Sequence, residues 1–540
     1  MTKTDAVQFQ RLGVMLDCSR NAVMNIPSLK KWIDALSDLG YNTLMLYTED
    51  TFEVENQPYF GYLRGRYSID ELKEIDTYAY ERGVELIPAI QTLAHLNAIF
   101  RWPVYYEIND CNDILLTGEE KTYALIEDMF ATLEKTVRTR IINIGMDEAH
   151  MLGRGKYQDI HGFEDRFDIL LDHLKKVAEI AEKHGFRCIM WGDMFFRLLG
   201  SNYGTNDDIQ VPEHVKEMIP SNVDLIYWDY YSTDKNNFTC RIKAHSAVKS
   251  GIWFAGGLWS WTGFAPHNSY SIDEVKAAFS ACSEQGVENV FLTMWGDNGA
   301  ECSKFALLPS LYYASEAAKG NFDMESIKKG FLEKYGIPFD AFMLTDLPGT
   351  ANEGKDVIYN PEKYMLYNDC LLGVFDSTVR EGDALSYSEC AKKLKEYESH
   401  PDYGYIFKTL RTLCQALSLK FELGVRTRKA YDSKDKAALT ALVGDYEQLL
   451  HAVEAFYSAF RAQWMKENKP NGFEVQDVRL GGLYFRVRHC MEILKDFLNG
   501  RTDSIAELEE PLLDLHCKKE FGKQPTCFNS WSLMVSTSVV

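Results

Sequence analysis

What most constrains this chain is an alternation of two hydrophobic periods. From residue 11 to about residue 320, apolar runs of strand length take turns with longer stretches in which apolar residues recur every three or four positions. Strands are expected at 11–17, 42–47, 84–91, 140–146, 186–191, 224–228, 251–257 and 289–295, and helices at 28–39, 68–82, 120–137, 163–184, 212–219, 237–249 and 272–285. Four of the helical stretches stop at a glycine (Gly40, Gly83, Gly185 or Gly286), the residue a helix C-terminus favours. Strands joined by crossover helices run parallel. Eight such units predict an α/β fold, a (β/α)8 TIM barrel with long insertions. An open doubly wound sheet is the alternative, but no GxGxxG or GxxxxGK[ST] run follows any strand.

After the eighth unit the pattern changes. From about residue 325 the helical period dominates, as in KAALTALVGDYEQLLHAVEAFYSAFRAQWM, and strand-like runs become rare. The expected division is therefore a catalytic barrel at 1–325 and an all-helical C-terminal domain at 326–540, with residues 338–361, which hold LPGTANEGKD, as the linker. The helical part carries no motif that implies chemistry. Packing, formation of a homodimer and shaping of the site mouth are its open roles. The 12 cysteines are scattered from Cys18 to Cys527 without a CxxC pair, which predicts reduced, mostly buried thiols. No run of eighteen apolar residues occurs, and the opening MTKTDAVQFQ has neither the basic nor the apolar region of a signal peptide, so a cytoplasmic protein without a membrane span is expected. A formal charge of -21 disfavours nucleic acid and leaves neutral small substrates as the best fit, with no cofactor implied.

In a barrel of this kind the chemistry sits on the loops that follow the strands. Polar and aromatic residues do gather there. The first strand ends in LDCSR with Asp17 and Arg20, the second in YTED with Glu49 and Asp50, and the third in QTLAH with His95. The fifth ends in WGD with Trp191 and Asp193, and the sixth in YWDYY with Trp228, Asp229, Tyr230 and Tyr231. The seventh runs into Trp259 and Trp261, and the eighth into Trp295 and Asp297. Most telling is the fourth, where the apolar run IINIGM delivers two adjacent carboxylates, Asp147 and Glu148. A buried carboxylate without a partner costs several kcal/mol, so acids at this place are either solvated loop residues or members of a site. Aromatic walls with a few carboxylates and an arginine are how proteins commonly hold a sugar ring.

In register with LDCSR, with PYFGYLRGRYS at 58–68, and with WGD and MWGD, the GMDEAH run resembles glycoside hydrolase family 20, the β-N-acetylhexosaminidases, over about residues 9–320. Two departures stand out. The small α+β domain that many members carry before the barrel is expected to be absent, and Asp297 stands where the family commonly has glutamate. The resemblance implies exo-acting removal of a terminal β-linked GlcNAc or GalNAc from an oligosaccharide or glycoconjugate, with retention. The substrate's own acetamido oxygen would attack the anomeric carbon and form an oxazolinium ion. Glu148 would be the acid and then the base, and Asp147 would orient the acetamido N–H as an anion, with like-charge repulsion raising the first pKa of the pair. By matching position, Arg20 would bind the 3- and 4-hydroxyls and Asp297 the outer hydroxyls. Trp191, Trp259 and Trp295 would form the acetamido pocket and the floor under the ring. Tyr230, or else Tyr231, would hold the acetamido carbonyl, and His95 would orient Asp147 or bind a hydroxyl. Two rival classes are a sugar-binding barrel that has lost catalysis and a metal-dependent barrel hydrolase. The second needs several histidines at strand ends, where only His95 and His150 are found.

Overall fold

In the computed structural model, which describes residues 9–200, 211–352 and 360–515, eight parallel strands close into a barrel in sequence order. They are Arg11–Asp17, Thr43–Tyr47, Glu85–Ala89, Ile141–Asn143, Arg187–Trp191, Val223–Trp228, Trp253–Gly257 and Asn289–Met294. The ring closes between the first and eighth strands, from Arg11 opposite Asn289 to Leu16 opposite Met294. The period of two sorts the strand side chains into two separate cores. Leu12, Val14, Leu16, Leu44, Leu46, Leu86, Cys188, Met190, Val290 and Leu292 face the surrounding helices. Met15, Met45, Ile87, Ile189, Ile226 and Phe291 fill the barrel, and Tyr47, Trp191 and Trp295 belong to the same inner cluster at its C-terminal end.

The connecting helices begin and end for readable reasons. Helix Ile26–Leu39 starts at Asn25, whose side chain accepts from the Ser28 N–H, and stops at Gly40, which turns left-handed with φ 86°. Helix Ile69–Glu81 opens with a capping box made by Ser68 and Glu71. Helix Leu308–Ala318, which the sequence pattern did not mark, packs beside helix Asn268–Glu284 and completes the outer layer. A small antiparallel pair, Asn109–Cys111 with Ile114–Leu115, sits in the loop after the third strand and was likewise not foreseen.

The helical part follows, with Asp383–Lys395, Gly404–Lys420, Lys436–Glu467 and Phe473–Leu498 as its main helices. Its apolar core is continuous with the outer core of the barrel. The expected division at residue 325 falls inside helix Met324–Tyr335, whose Phe331 packs on Tyr312 of the barrel's last helix and on Phe339 beyond it. Nor is 338–361 a linker where it is described. It forms short helices, Phe339–Phe342 and Leu347–Thr350. Asp346 between them accepts from the backbone N–H groups of Asn268 and Ser269 at 2.9 and 2.8 Å, satisfying the start of a barrel helix. Residues 353–356 of LPGTANEGKD lie outside the described residues.

Candidate active site

The fourth strand stops at Asn143, three residues earlier than its apolar pattern implies, because the backbone turns left-handed at Gly145 (φ 74°), Met146 (φ 69°) and Glu148 (φ 52°). Gly145 is required twice over. Its φ suits glycine, and a Cβ there would stand 2.1 Å from the side-chain oxygen of Gln91. The turn breaks the alternation of a strand, so that Asp147 and Glu148 both line one pocket at the C-terminal mouth of the barrel. Asp147 is buried and Glu148 half-buried.

Asp147 is held from two sides. Gln91 Nε2 donates to its Oδ1 at 2.7 Å and to the Tyr47 hydroxyl at 2.9 Å. His95 Nε2 lies 3.2 Å from Oδ2. Burial alone would push the Asp147 pKa up, but the facing His95 charge and these hydrogen bonds outweigh it and hold the group below the ordinary value. Burial likewise opposes charge on His95, yet Asp147 overcomes it and raises the imidazole to about 9. Burial, then the neighbouring Asp147 charge, lift the pKa of Asp193 to about 7. Its Oδ2 accepts from the Glu148 N–H at 3.2 Å and from Arg197 Nε at 3.0 Å, and Arg197 also reaches Glu148 Oε1 at 3.3 Å.

On the opposite wall, Arg20 sits between carboxylates and rings. It lies 3.4 Å from Asp17 Oδ2 and 3.4 Å from Glu49 Oε1, with its guanidinium over Tyr47 at 5.0 Å and Trp295 at 4.8 Å. It forms an ion pair with Asp17 and also lines the pocket. Burial raises the Asp297 pKa, against the pull of Arg20. The aromatic wall is made by Trp191, Trp228, Tyr230, Tyr231, Trp261 and Trp295. Tyr230 is buried and stacked on Trp228 at 5.2 Å, whereas Tyr231 is 60% exposed at the rim. The indole N–H of Trp191 is buried with no hydrogen-bond partner.

Of the residues expected at the site, Asp147, Glu148, Arg20, His95, Trp191, Tyr230, Trp295 and Asp297 come together around this pocket, as does Tyr231. Trp259 does not line it. It lies behind Trp261, stacked at 4.3 Å, with its indole N–H donated to the Tyr230 carbonyl at 3.1 Å, so the ring that faces the pocket is Trp261. His150 is exposed, away from His95's partners. Sequence reasoning named Asp193, Trp228 and Trp261 at strand ends without giving them a role, and named neither Gln91 nor Arg197. Only Arg197 was without a signal, since the other four stand in the strand-end runs quoted above. Among the described residues no group of three or more His, Cys, Asp or Glu side chains is placed to hold a metal ion, and no helix is long and apolar enough to cross a membrane.

Residues 9–282 match the model described as glycosyl hydrolase family 20, catalytic domain, and residues 340–526 match a glycoside hydrolase 20C C-terminal domain. The chain is 24% identical over 231 residues to hexosaminidase D of Homo sapiens, covering 41% of this chain and 45% of that one. It is 22% identical over 212 residues to beta-hexosaminidase 3 of Arabidopsis thaliana, covering 35% of this chain and 38% of that one. The chain thus spans about half or less of the length of these relatives. Among solved structures, a beta-N-acetylhexosaminidase from Bacteroides fragilis superposes with a TM-score of 0.46 at 19% identity, covering 60% of this chain and 69% of that one. With the catalytic-domain model matching more than half of its 540 residues, the chain belongs to glycosyl hydrolase family 20.

Proposed function

We propose that the chain is an exo-acting glycosidase that removes a terminal, non-reducing β-linked N-acetylhexosamine with retention by substrate assistance. The observation that carries this reading is that Asp147 and Glu148 line the same aromatic pocket, with the first held ionised by His95 and Gln91. An anion beside the acetamido N–H orients its carbonyl oxygen toward the anomeric carbon and offsets the positive charge that grows as the ring closes. As the C1–O bond breaks, Glu148 passes its proton to the leaving oxygen. It then takes a proton from the water that opens the oxazolinium ion. Arg20 and Asp297, which line the pocket, would bind the sugar hydroxyls, and Trp191 and Tyr230, which line it too, would serve the acetamido group. The relatives' names as hexosaminidases support the same substrate class. A cytoplasmic location fits the ten described cysteines, all free and eight of them buried, and is checked by cell fractionation.

The test compares nitrophenyl β-N-acetylglucosaminide with the plain β-glucoside. Intramolecular attack is worth about 7 to 11 kcal/mol, so the glucoside should be slower by many orders of magnitude. Comparable turnover of both would sink the mechanism. Tight binding of a thiazoline mimic without any turnover would point to the catalytically silent sugar-binding barrel.

A further inference from the structure

We infer that the helical region serves the pocket directly: Arg479, with Lys363 and Gln476, clamps the loop after the eighth strand and so positions Asp297 against the bound sugar. This rests on the pocket being the sugar site. Directly after Asp297, three successive residues are left-handed: Asn298 (φ 57°), Gly299 (φ 132°) and Ala300 (φ 50°). For the two that are not glycine this is strained backbone, costing of order 1 kcal/mol or more each, and it persists only where the surroundings over-determine it.

The surroundings here come from two directions. On the barrel side, the Gly296 N–H donates to Asp17 Oδ2 at 2.8 Å and the Ala300 N–H to the Gly296 carbonyl at 2.7 Å. Asp17 thereby joins this loop to Arg20, the other polar group on that wall. On the far side the donors among the described residues belong to the helical region. Arg479 donates to the Asn298 carbonyl and to Glu301 Oε1, the latter at 2.8 Å. Lys363 Nζ lies 3.4 Å from the Asn298 carbonyl and 2.9 Å from Glu301 Oε2. Gln476 Nε2 donates to the Gly299 carbonyl at 3.3 Å. The Glu301 and Lys363 side chains are each 1% exposed and that of Arg479 8%. A Cβ on Gly299 would stand 2.5 Å from Arg479, so the guanidinium lies against the loop backbone itself. The loop, turned left-handed, presents these two carbonyls to the helices instead of to its own chain, and the Gly299 carbonyl, which is buried, needs such a donor. Arg479 is therefore a positioning residue: it touches no substrate, and acts through Asp297.

Full-length Arg479→Met, Arg479→Lys and Gln476→Met are compared with Arg486→Met, a control on the same helix whose partner is Asp369, at 2.6 Å. Two readouts are taken. Hydrogen exchange at residues 298–301 should quicken at least tenfold in Arg479→Met, less in Gln476→Met, and not in Arg486→Met. The kcat/KM for nitrophenyl β-N-acetylglucosaminide should fall about ten- to a hundredfold in Arg479→Met, mostly through KM, and recover in part in Arg479→Lys. Made in an Asp297→Ala background, the same Arg479→Met change should alter kcat/KM less than twofold, because the two residues act as one unit. Unchanged exchange would overturn the clamp, and full additivity with Asp297→Ala would overturn its action through that residue. If Arg479→Met does not fold, Gln476→Met carries both readouts. If the wild type leaves the glycoside intact, the sugar reading falls while the exchange comparison still decides the clamp.

Discussion

His95 offers the sharpest quantitative test of the site. Its side chain is 17% exposed and faces Asp147 at 3.2 Å, Glu148 at 3.9 Å and Asp113 at 3.9 Å, with Glu49 and the opposing charge of Arg20 also acting on it. Burial disfavours the imidazolium, but the carboxylates prevail and raise its pKa from 6.5 to about 9. That rise corresponds to about 3 kcal/mol of folding stability. The sign follows from linkage. Because the folded state binds the proton more tightly than the unfolded chain, the contribution is complete below pH 6.5 and is lost as the pH climbs through about 9. Urea unfolding of the wild type and of His95→Gln at pH 6.5 and pH 10 should show the wild type losing about 3 kcal/mol more over that interval. An NMR titration of the His95 ring should give the pKa directly. The alkaline limb of kcat/KM should follow the same group and be absent from His95→Gln. A ring that titrates near its ordinary value, or two proteins with the same pH dependence, would refute the reasoning.

Two further outcomes follow from the geometry. Glu148→Gln should lower hydrolysis of a substrate with a poor leaving group by about 10²- to 10⁴-fold and affect an activated aryl glycoside much less; equal losses on both would take the acid role away from Glu148. Trp261→Ala should raise KM for an N-acetylglucosaminide, whereas Trp259→Phe, behind it, should keep KM and lower the melting temperature, as read by steady-state kinetics and thermal unfolding.

How much of this was legible in the sequence depends on how far each residue lies from regular backbone. Where a strand runs to its end, alternation decides. Trp191 closes the fifth strand two residues after Ile189, so both point inward and the indole meets the pocket. Trp259 and Trp261 lie beyond the end of the seventh strand, where no period applies, and the choice between them needed the stacking geometry. Gln91 stands two residues past Ala89 and matters because the left-handed turn at Gly145 brings the next strand's end against it. The supposed linker misled for a different reason. Its prolines look like chain breaks, yet Pro348 and Pro361 stand at the starts of short helices, where the missing N–H costs nothing, and Pro338 immediately precedes another. An aspartate that caps a helix 77 residues away, as Asp346 does for Ser269, leaves no local mark at all.

The left-handed residues connect these observations. Glu49, His95, Met146, Glu148, Asn298 and Ala300 all adopt positive φ without being glycine, and all stand in loops after barrel strands. At such a place the chain gives up stability, of order 1 kcal/mol or more per residue, for side-chain directions that regular strands cannot supply. Adjacent acids on a strand would point to opposite faces, so Asp147 and Glu148 share a pocket only because the backbone around them is turned out of strand geometry. Such a turn must be held from outside. Gln91 does this for the fourth strand by accepting from the Met146 N–H at 3.2 Å while donating to Asp147, and the helical region's donors do it for the eighth. Seen in this way, the helices after the barrel need no chemistry of their own to be part of the site. Their contribution is to keep a strained loop in the one shape that turns Asp297 toward Arg20.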